Sequence, residues 1–387
     1  MGLMRLVMQW AARIRVLSAP GVSLLALSYG WALWKMPDLM HLADPKDRHN
    51  ARMLVVSVAG GIFVALTLLY TARGYQLAHR GQVTDRFSNA LEALSADHSD
   101  QRLGAVYALQ HVARDSRLHR TEVFDVLEAF LRRNAFGGGS PDVQAALRAI
   151  LRPPTWARPL NLPDANLSGA NLHHANLADS GLPGADLSKA TLTWANMARV
   201  TLTGATLPGA DLTGADLHRA NLTGANMTSA SLIRADLTWA DLTDVDLTWA
   251  DLIGALLRRA TLTRVTLAQA DLNRAELPGA NLTAATLTEA TLIRTDLTWA
   301  DLSGANLSRA NLTHADLTDA DLTRANLSNA DLTGADLTGA NLSRANLTDT
   351  DFTGADLTDA DLTGALGVTS KQLSEAGKTA GLIGFPA

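Results

Sequence analysis

The sequence predicts a solenoid of five-residue units, preceded by two membrane-length apolar spans and a small helical block. The first observation is a strict period. From Leu162 to Leu362 a large apolar residue stands at every fifth position, as 38 Leu with Met197, Met227 and Phe352. Two residues before each is a small one, Ala at 34 of these 41 sites and Leu160, Ser180, Val200, Val245, Val265, Thr295 or Thr350 at the others. A period of five fits neither regular element. It advances a helix by about 140° per unit, which smears the leucines around the surface, and in a flat strand an odd period sends successive leucines to opposite faces. A chain that turns one corner per unit keeps every Leu on one axis and builds a solenoid.

Corner chemistry is the second observation. Asn or Asp usually precedes the Leu, and Gly fills 13 of the variable sites two residues after it. Both are turn formers that tolerate left-handed backbone. Ser or Thr follows the Leu in 27 of the 41 units, where a short hydroxyl reaches nearby backbone. Pro163, Pro183, Pro208 and Pro278 occupy this same position, so the ladder between coils does not need its amide hydrogen.

The run from Asp164-Ala165-Asn166-Leu167-Ser168 to Asp361-Leu362-Thr363 resembles the pentapeptide-repeat family. That resemblance implies a right-handed β-helix of square cross-section over residues 153–365, with four units per coil and Leu and Ala lining a dry interior. Forty-one units then make about ten coils at roughly 4.8 Å, a rod of about 50 Å. Residues 366–387 are expected to cap it.

The paired apolar spans are the third observation. Val16–Trp34 carries no charge and lies between Arg13, Arg15 and Lys35; Met53–Ala72 lies between Arg52 and Arg73. Each is long enough to cross a bilayer, and Trp31, Trp34 and Tyr70 stand near the interfaces. A signal peptide is disfavoured by the length of the first span, by Pro20 and Gly21 inside it and by the second span close behind. Residues 1–73 therefore read as a membrane hairpin. Arg5, Arg13 and Arg15 before it and Arg73, Arg80 and Arg86 after it place both termini, and the rod, on the cytoplasmic side.

Residues 74–152 read as a cytoplasmic helical domain. Thr84 is the expected cap of a helix through Phe87, Leu91 and Leu94; further helices cover Leu103–Leu109 and Val123–Leu131. Gly137-Gly138-Gly139 is a joint, and Ser140-Pro141 opens a fourth helix that stops before Pro153-Pro154. Asp100–Leu109 resembles one helix of an armadillo or HEAT unit. The order of spans, helical block and repeats is similar to membrane-anchored pentapeptide-repeat proteins of actinobacteria.

Charge divides with this layout. The chain's net −5 splits into +7 for residues 1–159, from 19 basic and 12 acidic side chains, and −13 for residues 160–365, from 12 and 25. The absence of cysteine removes disulfides, thiolate metal sites and a Cys nucleophile. There is no phosphate-binding Gly-rich loop, no Gly-x-Ser-x-Gly elbow and no His-Glu-x-x-His helix. His173 and His174 are read as strand neighbours pointing apart, and His98, His111 and His119 as exposed polar residues. No enzyme activity, cofactor or metal is expected.

Function is expected on the rod's surface. With twenty residues per coil, Arg199, Arg219, Trp239, Arg259 and Trp299 share one column, together with Asp179, Gly279 and Asp319. Trp194, Arg234, Arg274 and Arg294 share a second, flanked by Ile233, Ile253 and Ile293. Outward aromatics and arginines are typical interface anchors; scatter within a variable repeat is the bland alternative. Glu276, Asp296, Asp316, Asp336 and Asp356 form an acidic column whose bland reading is a solvated face. Two functions follow. One is a membrane-tethered scaffold presenting the rod to a protein partner. The other, implied by the resemblance, is a DNA mimic that binds a DNA topoisomerase; the arginines and the membrane spans weigh against it, and direct nucleic-acid binding is not expected.

Overall fold

The computed structural model describes residues 28–35, 38–134, 140–151 and 158–384. They belong to two compact units, Met1–Thr84 and Asp85–Ala387. In the first, residues 28–35 are helical, and residues 16–27 of the first apolar span lie outside the described residues. Helix α1 (Pro45–Leu94) contains the second span. It starts earlier than the apolar run because Asp44 accepts a hydrogen bond from the Lys46 amide at 2.8 Å and Pro45 opens the first turn. Leu54, Phe63, Leu69 and Tyr70 are all exposed on it. Among the described residues α1 is the one helix long and apolar enough to cross a membrane.

The expected helix start at Thr84 does not occur. No proline interrupts residues 53–94, so α1 runs through Arg73 and Thr84 without a break. The expected boundary between membrane hairpin and helical block, at 73/74, thus falls inside a helix.

In the second unit α2 (Ser99–Asp115), α3 (Arg120–Asn134) and α4 (Pro141–Leu151) pack around Val106, Leu109, Phe124, Leu127, Leu131, Leu147 and Ile150, all buried. The Gly137–Gly139 joint and Pro153-Pro154 lie outside the described residues. Arg102 ties the block together. Its Nε donates to Asp142 Oδ2 at 2.7 Å, and Nη1 donates to the carbonyls of Ala96 and Asp97 at 3.1 and 2.8 Å.

The repeats coil as the period requires. Parallel bridges join each Asn or Asp position to the residue twenty farther on, from Asn161↔Gly181 to Asn346↔Leu366, so four units close one coil. Each face is too short for a regular strand and pairs through one residue. The backbone amides of a unit are accounted for one by one, as in Asn166–Ala170 and the coils beside it. The Asp186 amide donates back to Ala165 O and the Leu167 amide forward to Asp186 O. The Gly169 amide donates to Ser188 O, and the Ala170 amide closes the turn on Leu167 O at 3.0 Å. The Ser168 amide bonds no carbonyl; it donates to the Asn166 side chain at 3.0 Å.

That last bond explains two features of the sequence together. Proline fits after the Leu because the amide it lacks serves only the Asx side chain. Accordingly Gly181, Thr206 and Glu276 stand where Asx is otherwise usual, before Pro183, Pro208 and Pro278, while Asn161 remains before Pro163. The core follows the leucines and alanines, with Leu167, Leu237 and Leu297 fully enclosed. Its polar exceptions are satisfied: Thr295 and Thr350 donate to Leu272 O and Leu327 O at 2.8 and 2.9 Å, and Ser180 Oγ accepts from the Leu160 amide at 3.0 Å.

Both ends of the ladder are closed. In the first coil the Asn161 amide donates to Glu128 Oε1, the Asn171 amide to Gln144 Oε1 and the Asn176 amide to Leu151 O, at 2.9, 3.2 and 3.0 Å. Arg132 Nε returns a bond to Asn161 O at 2.9 Å. The helical block is therefore bonded to the rod's open edge, which an exposed ladder would otherwise offer to any passing strand. At the far end α5 (Ser370–Glu375) begins with a capping box between Thr369 and Gln372. Gln372 Nε2 donates to Leu347 O and Thr350 O, while Glu375, Lys378, Ala380 and Ile383 carbonyls accept the last coil's amides.

The Arg102–Asp142 pair generates a prediction. Burial pushes the Asp142 carboxyl up, but Arg102, Ser140 and the Val143 amide outweigh it and hold the group below the usual carboxylate value. A depressed group contributes its stability above the unfolded value, about 4, and loses it as pH falls below that. Arg102→Ala leaves a buried carboxylate unpaired and destabilises the block by about 3–5 kcal/mol. Amide hydrogen exchange in α2–α4 should speed up more than a hundredfold in this variant at pH 7, while the parent begins to loosen only as pH falls below about 4.

Candidate functional site: the arginine and tryptophan corners

Each unit turns between its Leu and the following Ala, and the variable residue occupies the third position of that β-turn. All 41 variable sites have positive φ: 13 glycines between +63° and +69°, and 28 other residues between +54° and +61°. This is the backbone of the third residue in a type II turn, which costs a residue with a Cβ on the order of 1 kcal/mol. The candidate arginines and tryptophans thus sit where glycine is the least strained choice.

The coil places the two candidate columns on neighbouring corners. Trp194, Arg234, Arg274 and Arg294 line one corner; Arg199, Arg219, Trp239, Arg259 and Trp299 line the next, and the acidic column fills the flat face between them. Side chains lean along the rod and meet their neighbours one coil away. Arg199 Nε and Nη2 bond both oxygens of Asp179 at 2.6 Å, which lowers the Asp179 carboxyl and raises the guanidinium. The Arg259 guanidinium lies 5.1 Å above the Trp239 ring, and Trp299 Nε1 donates to Asp319 Oδ2 at 3.0 Å. Trp239 and Trp299 keep 48% and 68% of their surface exposed, so they are held but not covered. Trp194 lies over Gly214, where a Cβ would come within 2.6 Å of its ring.

The acidic column is anchored inward. Asp296, Asp316, Asp336 and Asp356 each accept the amide and hydroxyl of the Thr two residues on, at 2.6–3.0 Å. Lys378 Nζ closes the column 2.6 Å from Asp356 Oδ2 and, with Thr358, depresses that carboxyl to about 2.

Spacing by twenty also assembles groups that reading along the sequence did not single out. Trp249 donates to Gln269, Gln269 to Glu289 at 2.7 Å and Arg309 to Glu289 at 3.3 Å on a third corner. Asp244 accepts both ends of Arg264 on the fourth. The signal was available in the numbers 249, 269, 289 and 309. One expectation is corrected. His173 and His174 are turn residues and not strand neighbours, and their rings lie 4.0 Å apart. Among the described residues no group of three His, Cys, Asp or Glu is placed to hold a metal.

A family model described as pentapeptide repeats matches eight overlapping segments between residues 165 and 364. The chain belongs to the pentapeptide-repeat family. Its solenoid is accordingly a right-handed β-helix. Solved pentapeptide-repeat proteins resemble it. HetL, involved in heterocyst differentiation regulation in Nostoc sp. strain PCC 7120, is 38% identical over 54% of this chain and 90% of its own, with a TM-score of 0.25. A thylakoid-lumen protein of Arabidopsis thaliana is 30% identical over 29% and 67%, TM-score 0.20. QnrB1, a plasmid-mediated fluoroquinolone resistance protein, is 21% identical over 44% and 90%, TM-score 0.27. No curated protein matches the chain.

The corner backbone is testable by substitution. Gly304→Ala meets nothing within 4 Å and carries only the strain of positive φ, so it should cost about 1 kcal/mol in denaturant unfolding. Gly214→Ala, which also collides with Trp194, should cost more. Arg219→Gly should be neutral or stabilising.

Proposed function

We propose that the chain is a membrane-anchored, non-enzymatic scaffold whose cytoplasmic pentapeptide-repeat rod presents the Arg and Trp corners to a protein partner at the bacterial inner membrane. The observation that carries the reading is the pair of adjacent corners from Trp194 to Trp299. There a guanidinium or indole group projects from the backbone ladder on every coil, and neighbours one coil away hold several of them. Ordered, half-exposed Arg and Trp lose little side-chain entropy on contact, which is what a binding hot spot requires. Anchoring is supported by the apolar run within α1, which is long enough to cross a bilayer and is left uncovered by the described residues.

The runner-up, a topoisomerase-binding DNA mimic, draws on one observation: the carboxylates of Asp296, Asp316, Asp336 and Asp356 repeat at the coil spacing. Their inward anchoring and Lys378 leave this column less free than the arginine corners.

Two measurements test the proposal. Reporter fusions after residues 44 and 96 should lie on opposite sides of the membrane, and same-side reporters would refute the anchored topology. Arg219→Gly, Trp239→Gly, Arg259→Gly and Trp299→Gly together place the preferred corner residue at each site. They should abolish partner capture by the detergent-solubilised chain without lowering its unfolding midpoint. Undiminished capture would exclude these corners as the binding surface; loss of inhibition in a supercoiling assay on neutralising the four aspartates would favour the mimic.

A further inference from the structure

The corner column reads, coil by coil, Arg219, Trp239, Arg259, Gly279, Trp299, Asp319, Gly339 and Asp359. Read in the opposite direction it is its own complement. Turned about a two-fold axis between Gly279 and Trp299, Arg219 meets Asp359, Trp239 meets Gly339, Arg259 meets Asp319 and Gly279 meets Trp299. Every cation faces an anion and every indole faces a residue without a side chain.

The flat face that follows this corner has the same property. Its midline residues are Asn221, Asp241, Thr261, Asn281, Asp301, Asp321, Asn341 and Asp361, stacked one per coil. The same rotation sets Asn281 against Asp301, Thr261 against Asp321, Asp241 against Asn341 and Asn221 against Asp361. No carboxylate meets a carboxylate, and each faces a residue able to donate a hydrogen bond. The face before the corner does the reverse: there Glu276 would meet Asp296, Asp236 would meet Asp336 and Asp216 would meet Asp356. Self-complementarity therefore belongs to this corner and one of its two faces.

We infer that a second copy of this chain docks antiparallel along the corner from Arg219 to Asp359 and the face beyond it, through an isologous two-fold contact. A two-fold axis lying in the contact plane and crossing the rods sets each column against itself in reverse, which is the arrangement the sequence of corner residues matches. The contact spans seven coil spacings, about 34 Å. Existing bonds within one copy are compatible with it. Trp299 Nε1 engages Oδ2 of Asp319 and leaves Oδ1 for the second copy's Arg259, and Arg199, beyond the array, is already neutralised by Asp179. The inference rests on the proposed role of this corner as a contact surface and identifies one occupant.

Charge reversal within one chain tests it. Sedimentation equilibrium of the full chain in detergent, at up to about 50 µM, should give two chains per particle, with association weakening as salt rises. Arg219→Asp alone and Asp359→Arg alone each create like-charge pairs at both ends of the contact and should weaken association at least tenfold. The double variant Arg219→Asp with Asp359→Arg restores opposite charges at both ends and should recover the dimer. A monomeric parent, single variants that dimerise like the parent, or a double variant no better than the singles would each overturn the inference. If the monomeric parent still captured another protein through the Arg and Trp corner, only the self-pairing would fall and the scaffold reading would stand.

Discussion

The bond from each buried small residue's amide to the carbonyl of the preceding leucine, three residues back, is the contact on which the molecule depends. It closes a β-turn once per unit, and that turn brings Leu and Ala back to the axis while forcing the second of the two residues between them into positive φ. Everything else in the repeat accommodates this. The Asx side chain takes the one amide that the turn leaves without a carbonyl, and the remaining amides pair with the coils on either side. Because the turn fixes the path, the variable residue is free to be Arg, Trp, Asp or Gly, at a strain of roughly 1 kcal/mol whenever it is not glycine. Surface chemistry is thereby separated from core packing more completely than in a globular domain, where the same side chain often serves both.

Such a ladder has two open ends, and each is closed by a different device. At the start, side chains and a helix terminus from α3 and α4 supply acceptors for three of the four first-coil Asx amides. At the finish, a six-residue helix takes the place of one face in a closing coil of 22 residues, which returns backbone carbonyls to the last amides. The helical block is in this sense part of the rod and not a module beside it. The buried Arg102–Asp142 pair that organises the block consequently bears on how well the solenoid is sealed.

The repeat was legible in the sequence because one residue type at one spacing determines it: 41 large apolar residues at period five leave no other path for the chain. Pro163, Pro183, Pro208 and Pro278 even showed which amide the ladder omits. The helices were harder. Thr84 has the look of a cap, yet with no proline between Met53 and Leu94 α1 continues through it, since a lone Thr does not stop a helix. Strand alternation does not hold at His173 and His174, which lie in a turn. The candidate columns followed from the twenty-residue coil that the family resemblance implies. What stayed hidden was how side chains lean along the axis, so that Asp179 meets Arg199 and Trp299 meets Asp319. Rotamers at positive φ set this, and the sequence does not display them.

The constant coil of twenty residues also governs how such a surface can change. Adding or removing one five-residue unit leaves every Leu on the axis and every turn intact, because the core cannot distinguish one unit from another. On the outside the same event swings all later residues by a quarter turn and sends each column onto the neighbouring side. An alignment of side chains across eight coils, such as the one from Arg219 to Asp359, therefore exists only while the number of units between its members stays a multiple of four. The rod resembles a combination lock whose tumblers turn freely at no cost to the barrel, and whose setting is written entirely in the count of its repeats.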